Sequence, residues 1–196
     1  MVTVRPPAVA YGLACVAALA LAFDLLWMPI QVSDSLGEIL SAQESSSAVA
    51  SFIDGFHTRP YFRPLRIAQI KLLFDASAGT YYWEVFRGFH ALLMIAAVLL
   101  FARALRVSSA IDVGAFAFAL VVLIGLHTFL GTAQEAFPIN HFLEIAFFCL
   151  LILNLARSRG GRWVDAAALA VFIAAALTLE SGLLVWVVAA AAWMVG

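Results

Sequence analysis

The chain has 196 residues, of which 65% are hydrophobic and only 12% charged, and its eleven basic residues nearly balance twelve acidic ones. A soluble domain is about half apolar and about a quarter charged, so this chain, with a mean hydropathy of +1.03, has too little polar surface to fold alone in water. The composition excludes a disordered chain and a nucleic-acid-binding protein with a basic face. It predicts an integral membrane protein whose partner is the lipid bilayer.

Six apolar runs are long enough, or nearly so, to cross a hydrocarbon core of about 30 Å. Backbone polar groups have no water partners in lipid, so each run is expected to be an α-helix. The first run follows Arg5 and is too long for a signal peptide, so we interpret it as a retained span. The sequence therefore predicts a single all-α membrane module over residues 1–196, with six transmembrane helices at about 8–30, 83–103, 110–130, 140–156, 163–180 and 182–196.

The last run reaches Gly196 without a polar flank or a basic anchor. A membrane span normally ends in such residues. We therefore expect a further C-terminal part, or a partner chain, to complete the functional unit.

The outer loop between the first two spans, residues 31–82, is too long to be a simple tether. It contains two helical patterns, at 34–42 and at 64–74, which are separated by Ser45–Ser47. Both patterns predict short amphipathic helices on the membrane surface, with Arg66 and Lys71 away from the apolar side. That apolar side is expected to hold Leu36, Ile39 and Leu40 in the first helix and Leu65, Ala68 and Leu72 in the second.

Basic residues in the short loops predict the orientation of the chain. Arg103 and Arg106 follow the second span and three further arginines follow the fourth, whereas the segment 131–139 has no basic residue. Short cytoplasmic loops accumulate Lys and Arg, so the N-terminus is expected in the cytoplasm and the loop 31–82 on the other side. An Ala-rich sequence in which Arg far outnumbers Lys suggests a bacterial inner membrane.

Ionisable side chains concentrate in the outer halves of the predicted spans. Such groups are costly in lipid and normally face a cavity or a partner, whereas a transporter would carry polar groups through its full depth. The pattern therefore favours chemistry at the outer surface. The side chains concerned are Asp24, Glu84, Arg87, His90, His127, His141, Glu144 and Glu180, with His57 in the outer loop.

Three short motifs follow one another along the chain in a recognisable order. They are Gln31-Val32-Ser33-Asp34-Ser35 after the first span, Tyr61-Phe62-Arg63-Pro64-Leu65 before a His-bearing span, and Leu179-Glu180-Ser181-Gly182 before a later one. This order resembles the N-terminal module of GT-C integral membrane glycosyltransferases, which depend on polyprenyl-phosphate sugars and are related to protein mannosyltransferases and to arabinosyl- and aminoarabinosyltransferases.

The resemblance implies a polyprenyl-phosphate-linked sugar as donor and two juxtamembrane helices in the first outer loop. It also implies that Asp34 is the catalytic base, with Glu135 in the second outer loop as a second acid. The first loop has no Asp-x-Asp motif, so no metal ligand is assigned and the use of a divalent cation stays open.

Arginine can bind phosphate through two parallel hydrogen bonds. Arg63 and Arg87, together with His90, are therefore the candidate residues for binding the donor phosphate. The candidate cavity-lining residues are His57, His141, Glu144 and Glu180.

Each candidate also has a purely structural interpretation. Asp34 could cap a loop helix, Arg63 could anchor the loop to headgroups, and the pair His141 and Glu144 could satisfy itself. For the whole protein, the alternatives are a noncatalytic membrane assembly subunit or inactive GT-C relative, and a metal-dependent membrane hydrolase. The four histidines show no metal-ligand spacing that would favour the hydrolase.

Overall fold

A computed structural model describes residues 5–27, 33–57, 61–125, 139–158 and 160–195, with only the backbone for 33–35 and 124–125. Every regular element in these ranges is helical, as the sequence predicts. The elements are α1 (Pro6–Trp27), α2 (Ser33–Glu44), α3 (Ala48–Asp54), α4 (Pro64–Ala76), α5 (Tyr82–Leu105), α6 (Ala110–Gly125), α7 (His141–Ala156), α8 (Arg162–Thr178), a 3₁₀ helix (Glu180–Leu184) and α9 (Val185–Val195).

Two helices in the described part of the chain, α1 and α5, are long and apolar enough to cross a membrane. They have 22 and 24 residues, which corresponds to about 33 and 36 Å at 1.5 Å per residue. The six-span prediction is not confirmed. The helices α6 and α7 have 16 residues each and α9 has 11, and 16 residues cover only about 24 Å. The predicted extension of α6 to residue 130 lies outside the described residues.

A stripe of small residues on α1 packs against α5. Ala10, Ala14 and Ala18 are buried at intervals of four residues, in one core with Met94 and Ala97 of α5. Small side chains let helix backbones approach closely, which is the usual way helices associate in lipid. The rest of α1 exposes large apolar side chains, and Trp27 is 75% exposed. This is the pattern of a helix surface that meets lipid rather than water.

The helices α5 and α7 run in parallel, and their two ends differ in character. Near their starts His90 contacts Asn140, and near their ends Asn154 Nδ2 donates to the carbonyl of Leu100 at 3.0 Å. At the first end α4 packs against both α5 and α8, and we call this the loop end. At the other end lie Arg103, Arg106 and Arg157, and we call it the arginine end.

The two predicted loop helices are confirmed as α2 and α4, and the break at Ser45–Ser47 is confirmed as well. The helix α3 begins directly after the break and has no counterpart among the predicted elements. Ser47 caps it, because its hydroxyl oxygen accepts a hydrogen bond from the backbone N–H of Ala50 at 3.1 Å. Both α2 and α3 pack against α4, so α4 is the central element of the loop.

The predicted apolar side of α4 is wrong. Arg66 and Lys71 are buried, whereas Leu72 is 60% exposed. The reason is pairing: Arg66 forms an ion pair with Glu38 of α2, and Lys71 forms one with Asp75 at 2.8 Å. The charged side of α4 therefore faces the protein. In α2 only Ile39 of the three expected residues is buried, and Leu36 and Leu40 are exposed.

Candidate functional site

Polar side chains from four separate elements meet at the loop end, and we call them the loop-end cluster. They are linked by hydrogen bonds and ion pairs that span up to 117 residues of sequence, and by the electrostatic effects of neighbouring charges. The cluster consists of Glu38, Arg63, Arg66, Gln69, His141, Glu144 and Glu180.

The spacing of these residues explains how they come together. Arg63, Arg66 and Gln69 follow one another at intervals of three, around a helix start that Pro64 fixes at the first helical position. His141 and Glu144 have the same interval at the start of α7. Residues three apart lie on one side of a helix, so each element presents a polar stripe to the other.

The innermost contact of the cluster joins Gln69 to Glu144. The amide Nε2 of Gln69 donates to Glu144 Oε1 at 2.6 Å, and Glu144 is only 2% exposed. Arg66 is close enough to act electrostatically on the same carboxyl group. Burying a carboxyl group is unfavourable unless it is paired. Gln69 and Arg66 therefore lower the free-energy cost of burying Glu144.

Arg66 and Arg63 each have an acidic partner, but in different surroundings. Arg66 is buried, and its Nη2 donates to both carboxylate oxygens of Glu38 at 2.6 and 2.8 Å. Arg63 is more open to solvent, and its Nε lies 3.3 and 3.2 Å from the two carboxylate oxygens of Glu180. Its guanidinium also lies over the ring of Tyr61, 4.7 Å from the centroid. Arg63 is therefore the arginine of the cluster that a ligand can reach most easily.

The charges around Glu180 act on its protonation. Slight burial raises the pKa of Glu180, but hydrogen bonds from its own backbone N–H and from Arg63 lower it, as do the charges of Arg63 and His141. The net pKa lies below the usual value. Glu180 is consequently ionised at neutral pH and holds Arg63 by a charge-assisted contact.

Four buried polar atoms of the cluster have no hydrogen-bond partner among the described residues. Two are acceptors, one is a donor, and the imidazole nitrogen can be either. Buried polar groups are nearly always paired, so this group of atoms marks a place where a polar ligand can bind. The atoms are Glu144 Oε2, Gln69 Oε1, Arg66 Nε and His141 Nδ1.

Arg87 and His90 form a second polar group on α5, next to the cluster. Arg87 is 1% exposed, and its guanidinium lies over the ring of Trp83 at 4.8 Å. His90 is fully buried, and its Nε2 accepts a hydrogen bond from the backbone N–H of Asn140. Asn140 in turn caps α7 by accepting from the N–H of Leu143 at 2.9 Å. His90 therefore fixes the helix start that carries His141.

The structure brings some of the predicted site residues together and leaves others apart. Arg63, His141, Glu144 and Glu180 lie in the cluster, whereas His57 is exposed in the turn after α3. Asp34 lies in the first turn of α2, four residues before Glu38, so the two Cα atoms are about 6 Å apart along the helix. Glu135 lies outside the described residues.

Sequence reasoning missed Glu38 and Gln69 as members of the site. Gln69 had a usable signal, because it continues the spacing of three set by Arg63 and Arg66. Glu38 had a weaker one, since it lies one helical turn after Asp34 on α2. Neither signal identifies the partner, because Gln69 meets Glu144 across 75 residues of sequence.

Comparisons with protein-family models, curated protein sequences and solved structures yield no match for this chain. In the part of the chain that the structure describes, no three His, Cys, Asp or Glu residues come together to hold a metal ion. The loop-end cluster offers arginines, carboxyl groups, an amide and an imidazole.

Proposed function

We propose that this protein is an integral membrane glycosyltransferase of the GT-C type, or the N-terminal module of one. In this proposal it transfers a sugar from a polyprenyl phosphate to an acceptor on the noncytoplasmic face of a bacterial inner membrane. The observation that carries the proposal is the loop-end cluster, which holds two arginines and a buried carboxyl group with one oxygen that has no partner among the described residues. The order of the sequence motifs supports the same assignment.

The proposed reaction requires a base, and a cationic site for the leaving phosphate. The acceptor hydroxyl oxygen forms a bond to the anomeric carbon, and the bond from that carbon to the phosphate oxygen breaks with its electron pair. The hydroxyl proton passes to a carboxylate, for which we propose Asp34, and the polyprenyl phosphate leaves. Glu135 is proposed as a second acid. We propose that Glu144, held by Gln69, orients the acceptor through the carboxyl oxygen that has no partner among the described residues.

Arg63 is the residue we propose for the first contact with the donor phosphate. Its present partner Glu180 is more solvent-exposed than the partner of Arg66, and exposed ion pairs are weak. A phosphate can therefore replace Glu180 at little cost. Arg87 and His90 are proposed to support this site from α5, since His90 fixes the start of α7.

A noncatalytic membrane assembly subunit is the second candidate function. It is favoured by the pairing in the cluster, because Arg63 and Arg66 each have a carboxylate partner within the protein. A subunit needs only these pairs for stability, whereas an enzyme must exchange at least one of them for donor phosphate.

Binding of radiolabelled polyprenyl-phosphate mannose, arabinose and aminoarabinose to the purified full chain in neutral detergent separates the two candidates. We expect one donor to bind, and Arg63→Gln to weaken its binding about tenfold through loss of a charge-assisted contact. Glu84→Gln is the matched control, because Glu84 is exposed at the same end of α5 and lies outside the cluster. Absence of both binding and thermal protection for every donor would remove the enzyme proposal.

Donor turnover then tests the base. We expect Asp34→Asn to insert and to bind the donor as the wild type does, while losing most transfer, since an amide cannot accept the acceptor proton. A subunit would tolerate this substitution without any functional change. Equal turnover by Asp34→Asn and the wild type would remove Asp34 from the mechanism.

A further inference from the structure

A cavity of about 260 Å³ lies at the arginine end, opposite the loop-end cluster, between the last turns of α5 and α7. Three of its six lining residues are arginines and none is acidic. The lining consists of Arg103, Ala104, Arg106, Asn154, Arg157 and Ser158.

Reciprocal hydrogen bonds hold two of these arginines in place. Arg106 Nη2 donates to the carbonyl of Arg157 at 3.1 Å, and Arg157 Nη1 donates to the carbonyl of Ala104 at 2.8 Å. Each bond uses one of the five N–H donors of a guanidinium. The backbone thus orients both cations beside the cavity, and Arg103 is exposed at its edge. A preformed group of three positive charges is suited to one phosphate.

An apolar groove of about 420 Å³ adjoins the cavity, and Arg103 lines both. The groove is formed by α1, α5 and α7. Ala96, at its far end on α5, lies seven residues before Arg103, which is about 10 Å along the helix. Its other lining residues are Tyr11, Leu99, Leu100, Phe147 and Leu151.

We propose that the arginine end binds an anionic phospholipid. Its phosphate contacts Arg103, Arg106 and Arg157, and the upper part of one acyl chain occupies the groove. Charge complementarity selects an anion, and the apolar groove that continues from Arg103 selects a lipid rather than a soluble phosphate. The site shares no residue with the loop-end cluster, so it does not depend on the proposed sugar transfer.

The test compares lipids that differ only in headgroup charge. The full chain is purified in neutral detergent, supplied with equal amounts of dioleoylphosphatidylglycerol or dioleoylphosphatidylcholine, and analysed for retained lipid by native mass spectrometry and for Tm. We expect the anionic lipid to be retained and to raise Tm, and Arg103→Gln to lower its retention about tenfold. Arg162→Gln is the matched control, because Arg162 is exposed at the same end but does not line the cavity. We expect it to leave retention unchanged.

Two further measurements separate the sources of phosphate. Ala96→Phe fills the groove and is expected to reduce retention of the anionic lipid while Tm of the lipid-free protein stays high. Inorganic phosphate alone is expected to raise Tm little. The proposal is overturned by equal retention of both lipids, by equal loss in Arg103→Gln and Arg162→Gln, by unchanged retention in Ala96→Phe, or by a phosphate effect as large as that of the lipid.

Discussion

Gln69 on α4 and Glu144 on α7 meet through a hydrogen bond of 2.6 Å that joins the loop helices to the helix bundle. The carboxyl group is buried, and its second oxygen has no partner among the described residues. The contact therefore connects the loop layer to the proposed site and also controls the cost of burying Glu144. Replacing one of the two side chains should therefore lower the stability of the protein more than replacing both.

We expect Gln69→Leu to lower the free energy of unfolding by about 1 to 3 kcal/mol, because it leaves the buried carboxyl group without its donor. The double variant Gln69→Leu with Glu144→Leu should recover much of this loss, since no polar group is then stranded. Unfolding in detergent by increasing denaturant measures both values. A double variant less stable than Gln69→Leu alone would contradict this account.

The pair formed by Arg63 and Glu180 should make stability depend on pH. The folded pKa of Glu180 lies below its ordinary value of 4.5, so the pair contributes fully above that value and is lost as the pH falls through the folded pKa. We expect the difference in Tm between the wild type and Glu180→Gln to be constant from pH 7 to about pH 5 and to shrink at lower pH.

High salt should reduce the same difference in Tm, because the pair is partly exposed and screened. Melting curves of both proteins at low and high salt provide the check. In the pH experiment, a difference in Tm between the wild type and Glu180→Gln that grows as the pH falls would exclude a stabilising role for ionised Glu180.

Gly182 allows the 3₁₀ helix to approach α8 closely. An added Cβ there would lie 1.9 Å from the carbonyl oxygen of Ala175, a backbone atom. Gly182→Ala must therefore displace the segment that carries Glu180, and we expect a loss of about 1 to 3 kcal/mol in unfolding free energy. Arg63→Gln should lower the free energy of unfolding less in the Gly182→Ala background than in the wild type.

Gly88→Ala is the matched control for this substitution, because a Cβ at Gly88 meets nothing within 4 Å. Gly88 lies inside α5, where alanine is the better helix former, so we expect a gain of up to about 1 kcal/mol. Thermal unfolding of the two alanine variants compares them directly. Similar stability of both would show that the close approach at Gly182 has no energetic consequence.

His90 should be more important for stability than its single hydrogen bond suggests. His90→Leu leaves the N–H of Asn140 without this acceptor at a fully buried position, and we expect a loss of about 2 to 3 kcal/mol. His90→Gln, whose side-chain oxygen can accept the same hydrogen bond, should lose less. Unfolding free energies of the two variants measure the contrast, and equal losses would assign the effect to packing alone.

The helical class, the two long apolar helices α1 and α5, and the two loop helices could be predicted from the sequence because each depends on local composition and spacing. The buried side of α4 could not, because Arg66 faces inward only through its pairing with Glu38 of α2. The six spans remain unconfirmed for a related reason. Hydropathy measures apolar runs, whereas crossing a membrane also requires helix length, and α6 and α7 have only 16 residues each.

The candidate site, too, could be predicted from the sequence only in part. The concentration of polar groups at one end was visible in the sequence, since charge in an apolar helix is conspicuous. Their pairing was not visible, because Arg63 and Glu180 are far apart along the chain. Arg87 illustrates the limit, because the sequence does not show that its guanidinium is buried against the ring of Trp83.

Lys71 is the only lysine in the sequence, and its ammonium group is enclosed under the loop in contact with Asp75. An amine-specific reagent applied to the folded protein therefore has a single side chain to modify, and that side chain is shielded. The rate of its modification, followed by mass spectrometry of the peptide that contains Lys71, would report how often the loop layer lifts from the bundle, without any engineered label.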